Sequence, residues 1–285
     1  MQKFELNNQV KLPALGLGVF RITDAVQCEQ TVVDAINAGY RWIDTATAYG
    51  NEEAVGRGIA RAGVPRDQLF ISTKLWIPDT TYDGAKTAFE LSLEKLGLAY
   101  VDLFVIHQPY NDIYGAWRAM TELQREGRIK AIGVDNFSQG QLTDFVEFND
   151  VVPAVNFMEV HPYFQRVEDV KTMAELHIQP IAWSPLGAGQ LGVLQDPKLQ
   201  AIATLHHKST AQVVLRWLHQ RQIAVVAKSV KLGRIKENAD IFDFELTAND
   251  MKTIGSLERG TSASLAGDRS KYSVLKPFLD FVAKH

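Results

Sequence analysis

Eight short apolar runs, each followed by a longer amphipathic one, constrain this chain more than any other feature of it. The runs cover residues 15–18, 40–44, 69–74, 102–107, 131–134, 154–158, 179–183 and 225–228. Helix-period patterns separate them at 25–38, 52–62, 85–96, 113–126, 139–146 and 167–176, with 198–208 and 211–220 before the last run and 234–241 after it. Strands that carry no polar face are buried on both sides, as in parallel sheets. Eight such βα units within 285 residues predict an α/β fold, a closed (β/α)8 TIM barrel. Ahead of them, two alternating runs around Asn7-Asn8 predict an N-terminal β-hairpin. No linker or low-complexity segment divides residues 1–285, so one domain is expected.

A doubly wound sheet is the competing fold, and Gly187-Ala-Gly189-Gln-Leu-Gly192 has the G-x-G-x-x-G spacing after a predicted strand. It comes late in the chain, however, and no acid lies about 20 residues further on to hold a ribose. What remains is a flexible loop suited to covering a phosphate.

A barrel gathers its chemistry at the C-terminal ends of its strands. Those ends present Asp44, Lys74 and His107 on three adjacent strands, with Tyr49 in the turn after Asp44 and Asn51 as the expected N-cap of the next helix. Singly, each has a plain explanation: an Asp–Lys bridge, a snorkelling lysine, a hydrogen-bonded core histidine. Together they suit proton donation to a carbonyl oxygen, with Tyr49 as the acid, Lys74 lowering its pKa, Asp44 orienting Lys74, and His107 aligning the carbonyl. No activated nucleophile accompanies them, and His206-His207, adjacent on a helix, point to different faces and make poor metal ligands. An acid with neither nucleophile nor metal implies electrons from an organic cofactor.

A net charge of -3 removes the electrostatic case for a nucleic-acid partner. No run reaches the roughly 18 apolar residues of a membrane span, and the start lacks a signal-peptide pattern, so a cytoplasmic protein is expected. The one cysteine, Cys28, reads as a small buried residue, with a reactive thiol as the alternative.

The motifs Gly-Tyr-Arg-Trp-Ile-Asp-Thr-Ala, Tyr-Gly-Asn-Glu-Glu, Thr-Lys-Leu-Trp, Val-Asp-Leu-Phe-Val-Ile-His, Pro-Ala-Val-Asn, Ser-Pro-Leu-Gly and Lys-Ser-Val with Arg234-Ile-x-Glu-Asn238 resemble the aldo-keto reductases. The likeness runs from about Leu12 to Leu257 and looks closest to bacterial members similar to 2,5-diketo-D-gluconate reductases and broad aldehyde reductases. It implies NADPH-dependent reduction of aldehydes and ketones, α-dicarbonyls and keto-sugars included, by a monomer. The matching positions assign Asp44, Tyr49, Lys74 and His107 to catalysis and Trp76 and Gln108 to the substrate. Asp135, Asn136, Phe157 and Trp183 would meet the nicotinamide end of the cofactor, near Gly18, Val19 and Phe20. Ser184, Leu186 and Gly187 would follow the pyrophosphate, and Lys228, Ser229, Val230, Arg234, Glu237 and Asn238 the adenine and its 2′-phosphate. Independently of the likeness, Lys228 at a strand end and Arg234 early in a helix form an anion site.

Three positions depart from the family pattern. Gln108 replaces a usual Trp and makes that wall of the substrate pocket more polar, whereas Asp135 for a usual Ser and Phe157 for a usual Gln alter the grip on the nicotinamide, the Asp135 charge being expected to favour the oxidised cofactor. The tail after Gly260 also departs, ending in an apolar helical pattern of Val274, Leu275, Phe278, Leu279 and Val282 that is expected over the barrel mouth. The departures motivate an alternative reading, a reductase-like NADP(H) sensor with little turnover.

Overall fold

Side chains in successive strands of a computed structural model, which describes residues 2–263 and 272–282, alternate between a packed lumen and a surrounding helical layer. A hairpin of β1 (Lys3–Glu5) and β2 (Lys11–Pro13) precedes the parallel strands β3 (Leu15–Gly18), β4 (Trp42–Asp44), β5 (Phe70–Leu75), β6 (Val101–Ile106), β7 (Ile129–Asp135), β8 (Val155–Glu159), β9 (Gln179–Trp183) and β10 (Ala224–Ala227). Among the described residues these last eight strands close in the order β10-β3-β4-β5-β6-β7-β8-β9, the (β/α)8 TIM barrel expected from the alternation.

The helices are α1 (Ala25–Asn37), α2 (Glu52–Ala62), α3 (Tyr82–Leu96), α4 (Ile113–Arg125), α5 (Gln139–Glu147), α6 (Val167–Glu175), α7 (Pro197–Leu205), α8 (Thr210–Gln220), α9 (Leu232–Ala239), α10 (Ala248–Gly255) and α11 (Tyr272–Val282). Short polar side chains cap several of these helices. Asp24, Thr81 and Asp112 accept from the third residue onward, while Ser138 with Gln141, Ser209 with Gln212 and Thr247 with Asp250 form reciprocal capping boxes. Gly63 and Gly97 end α2 and α3 in the left-handed region.

The lumen is packed with Trp42, Phe70, Leu103, Val105, Val155, Phe157, Ile181 and Val226, closed at its floor by Leu6 and Leu12 of the hairpin. Each fully buried large side chain here contributes about 1.5–3 kcal/mol. Gly16 is the residue that lets Trp42 lie across the lumen, since a Cβ there would sit 2.5 Å from the indole. Asn7 and Asn8 tie the hairpin turn to the Pro153 and Lys130 carbonyls at 3.1 and 3.0 Å.

The tail is described in part. Ser262 and Ala263 bond to the Glu159 carboxylate, and α11 places Leu275, Leu279 and Val282 on one helix, with Pro277 inside it. Of the tail expected over the mouth, which begins at Gly260, residues 264–271 and 283–285 lie outside the described residues.

Candidate active site

Asp44 is the last residue of β4, Lys74 the fifth of β5, and His107 follows β6, its N–H bonded to the Leu75 carbonyl at 3.1 Å. The strand stagger brings Asp44 and Lys74 together: Lys74 Nζ donates to Asp44 Oδ2 at 2.5 Å and to the Thr45 carbonyl at 3.3 Å. Both side chains are buried, so the ion pair is retained because each charge answers the other, and removal of either partner leaves an uncompensated charge worth about 3–5 kcal/mol.

Tyr49 ends a single 3-10 turn (Thr47–Tyr49), pinned to β5 by Thr47 Oγ1 donating to the Lys74 carbonyl at 3.0 Å. Asn51 does not cap α2 with its side chain as expected. It accepts from Thr45 Oγ1 at 2.8 Å and donates to the Val19 and Ile22 carbonyls at 3.0 and 3.2 Å, joining the β3 and β4 loops beneath Tyr49. The half-buried Tyr49 ring lies 5.0 Å from that of the exposed Phe20 and 5.6 Å from the His107 ring.

The expected lowering of the Tyr49 pKa by Lys74 is corrected here. Burial, then the carboxylates of Asp44 and Asp135, push the phenol well above its ordinary value. Lys74 Nζ stands 5.6 Å from the Tyr49 ring centre and is committed to Asp44, whose charge it offsets. Tyr49 therefore keeps its proton through the neutral range.

Trp76 packs edge-on against His107 with ring centres 5.0 Å apart. Asp135, the last residue of β7, is buried with Oδ2 3.8 Å from His107 Nε2. Asn136, in the left-handed region at φ 65°, turns its Nδ2 to the His107 carbonyl at 3.3 Å. Gln108 is buried beside them. Phe157 packs in the lumen, its ring 4.7 Å from Lys74 Nζ, a cation–π contact in place of a polar one.

The remaining candidates follow the mouth from β9 to α9. Trp183 is half-buried, and its Nε1 has no hydrogen-bond partner among the described residues. Ser184 at φ 49°, half-buried Leu186 and Gly187 at φ 66° begin the glycine loop, in which Gly189 and Gly192 are also left-handed. Past β10, Lys228 and Arg234 are exposed, Ser229 and Asn238 buried, and Val230 and Glu237 half-buried. Gly18 abuts this sector, for a Cβ on it would meet Val226 at 2.7 Å, and Val19 is buried next to it. The structure thus joins Asp44, Tyr49, Lys74, His107, Trp76, Asp135 and Phe157 in one contact group, with Lys228 to Asn238 as a separate cationic group. Among the described residues no three His, Cys, Asp or Glu side chains are arranged to hold a metal, and His206 instead bonds Asp250 at 2.9 Å.

Sequence reasoning missed two polar lumen residues, Trp42 and Ser72, which stand two positions before Asp44 and Lys74 on the same inward faces. The two-residue strand period is the signal that finds them. It also missed Glu52, a buried acid that accepts from Thr73 Oγ1 at 2.6 Å and seats α2 on β5.

Comparison with known proteins places this barrel among those of its relatives. The Aldo/keto reductase family model matches residues 14–259. An uncharacterized oxidoreductase, YtbE, of Bacillus subtilis is 46% identical over 260 residues, 90% of this chain and 92% of its own length. A glyoxal reductase of the same organism is 45% identical over 256 residues, again 90% and 92%. The crystal structure of a Bombyx mori aldo-keto reductase in complex with NADP superposes with a TM-score of 0.90 at 35% identity, covering 95% of this chain and 98% of that one. With a family match across most of its length and a shared barrel, the chain belongs to the aldo/keto reductase family.

Proposed function

We propose that the protein reduces aldehydes and ketones to alcohols with NADPH, Tyr49 giving the proton to the carbonyl oxygen. The buried Lys74–Asp44 pair at 2.5 Å, set against Tyr49 and His107 at the end of three adjacent strands, carries this reading. A phenol is protonated in the neutral range and so has the proton a general acid needs, while the push above its ordinary value works against giving that proton up. His107, braced by Trp76 and by Asn136, orients the carbonyl. Trp76 and Gln108, with the exposed Phe20, line the approach, and their mixed apolar and polar character suits small aldehydes, α-dicarbonyls and keto-sugars.

The residues fit the cofactor. Lys228 and Arg234 form no ion pair among the described residues and flank the N-terminus of α9, a donor set suited to a 2′-phosphate. Ser229, Val230, Glu237 and Asn238 would complete the adenine side. Ser184, Leu186 and the Gly187 loop would hold the pyrophosphate, and Trp183, Asp135, Asn136 and Phe157, beside Gly18, Val19 and Phe20, the nicotinamide. NADPH, when bound, supplies the hydride. The Bombyx mori relative solved with NADP supports the same choice.

The reading takes residues 1–285 as one domain and the protein as a cytoplasmic monomer; no helix among the described residues is long and apolar enough to cross a membrane. Phe157 and Asp135 favour a second reading, an NADP(H) sensor with little turnover, because neither side chain donates to a carboxamide oxygen. NADPH oxidation measured across aldehydes, α-dicarbonyls and keto-sugars separates the two. Turnover on any class supports the reductase, whereas tight NADPH binding without turnover supports the sensor.

A further inference from the structure

Below the Asp44–Lys74 pair, the same inward faces of β4 and β5 carry Trp42 and Ser72. An indole N–H only donates, so Trp42 gives its proton to Ser72 Oγ at 2.8 Å. The hydroxyl has one proton of its own, and Asp44 Oδ1 takes it at 2.7 Å. Lys74 holds the other oxygen of that carboxylate, Oδ2, at 2.5 Å. The direction of every bond in the chain Trp42, Ser72, Asp44, Lys74 is therefore determined by donor chemistry. Trp42 and Ser72 are fully buried, and Asp44 and Lys74 are 4% and 2% exposed.

The surrounding lumen is apolar. Ser72 pairs in register with Leu103, and Phe70 and Val105 fill the neighbouring inward positions. A hydroxyl there must be desolvated, and packing alone would be served by an alanine or a valine. The polar atom has a use, which its partners identify.

We propose that Ser72, oriented by Trp42, is a positioning residue for the proton donor: it fixes the plane of the Asp44 carboxylate and draws off part of its charge, so that Asp44 anchors Lys74 without pressing its full charge on Tyr49. The proposal rests on the reading of Tyr49 as the acid. Two observations support the coupling. The Asp44 carboxylate is one of the groups that hold the Tyr49 phenol up, and Lys74 Nζ, the other partner of Asp44, lies 5.6 Å from the Tyr49 ring. A bond that compensates Oδ1 lessens that push, as any donor to a carboxylate does. The charged groups facing Asp44 and Tyr49 from the packed strands are Lys74 on β5, His107 after β6 and Asp135 on β7; Ser72 alters the charge that Asp44 adds to theirs.

The test uses the full chain and the variants Ser72→Ala, Ser72→Thr, Trp42→Phe and Tyr49→Phe. Tyrosines labelled with ¹³C at Cζ are titrated by NMR without cofactor, the Tyr49 signal being the one lost in Tyr49→Phe. Reduction of an aldehyde at saturating NADPH is measured in parallel. In Ser72→Ala, Tyr49 should hold its proton to a pH higher by about half a unit or more. Its kcat should fall by about tenfold with KM nearly unchanged. Ser72→Thr, which keeps the hydroxyl, should restore both, and Trp42→Phe should shift both in the same direction by less. An unshifted Tyr49 titration in Ser72→Ala overturns the proposal, even where stability or KM changes, because that pattern describes a packing role. If Ser72→Ala does not fold, the Trp42→Phe titration decides in the same way. Retained activity in Tyr49→Phe would instead remove the reading of Tyr49 as acid, while the titration still reports whether Ser72 acts on it.

Discussion

Asp135 Oδ2 stands 3.8 Å from His107 Nε2, placing a buried carboxylate against the imidazole that faces Tyr49. Its charge is among the groups that hold the Tyr49 phenol above its ordinary value.

Replacing Asp135 by Ser should therefore lower the pH at which Tyr49 loses its proton. The sign follows from the charge: a carboxylate disfavours phenolate, so its removal makes phenolate easier to form. The alkaline limb of the rate of aldehyde reduction should move to lower pH. The same variant should weaken NADP⁺ more than NADPH, since only the oxidised ring is cationic. Titration of both cofactor forms checks this, and an unchanged affinity ratio would show that the Asp135 charge does not act on the ring.

Tyr49→Phe removes the donor and leaves the ring that contacts Phe20 and His107. The rate of carbonyl reduction should fall by about 10²-fold or more, with NADPH affinity nearly unchanged. Single-turnover kinetics beside a direct binding titration measure both quantities.

Arg234→Met removes one of the exposed cations at the start of α9. A charge-assisted contact is worth roughly 1.5–3 kcal/mol, so the Kd for NADPH should rise about tenfold or more and that for NADH should hardly move. Equal losses would mean that Arg234 does not meet the 2′-phosphate.

Glu159 gives a pH dependence of stability. Burial raises its carboxyl, but hydrogen bonds from His161 and Ser262, and from the Ala263 N–H, outweigh that and leave it below the ordinary value. A depressed folded-state pKa adds stability that is present above the unfolded value of about 4.3 and is lost as pH falls through the folded one. Urea midpoints between about pH 6 and pH 3 should fall with acid in the parent, and less steeply in Glu159→Gln.

The barrel was legible because each strand is too apolar to face water, and because Asp44, Lys74 and His107 end such runs. Strand ends moved by at most two residues and helix ends by at most three: α3 begins at Tyr82 where periodicity begins at 85, since Thr81 supplies the cap. Helix α10 went unread, although Thr247 and Asp250 form its capping box, because Asp stands where Glu or Gln marks that motif. Asn51 was misread for a different reason. Its spacing is that of a cap, and only the closed barrel brings the Val19 and Ile22 carbonyls within its reach. The direction of the Tyr49 shift was equally out of reach, since it depends on which carboxylates the strand stagger leaves nearest the phenol.

The chain of bonds beneath Tyr49 terminates on an indole, and an indole nitrogen cannot accept a proton to replace the one it donates. Trp42, Ser72 and Asp44 are thus a brace and not a wire. With Trp42, Phe70 and Phe157 plugging the lumen and Leu6 and Leu12 sealing it below, the barrel is a cul-de-sac. If Tyr49 is the acid, as proposed, a proton it gives up would have to be restored from the open end of the barrel and not through the lumen.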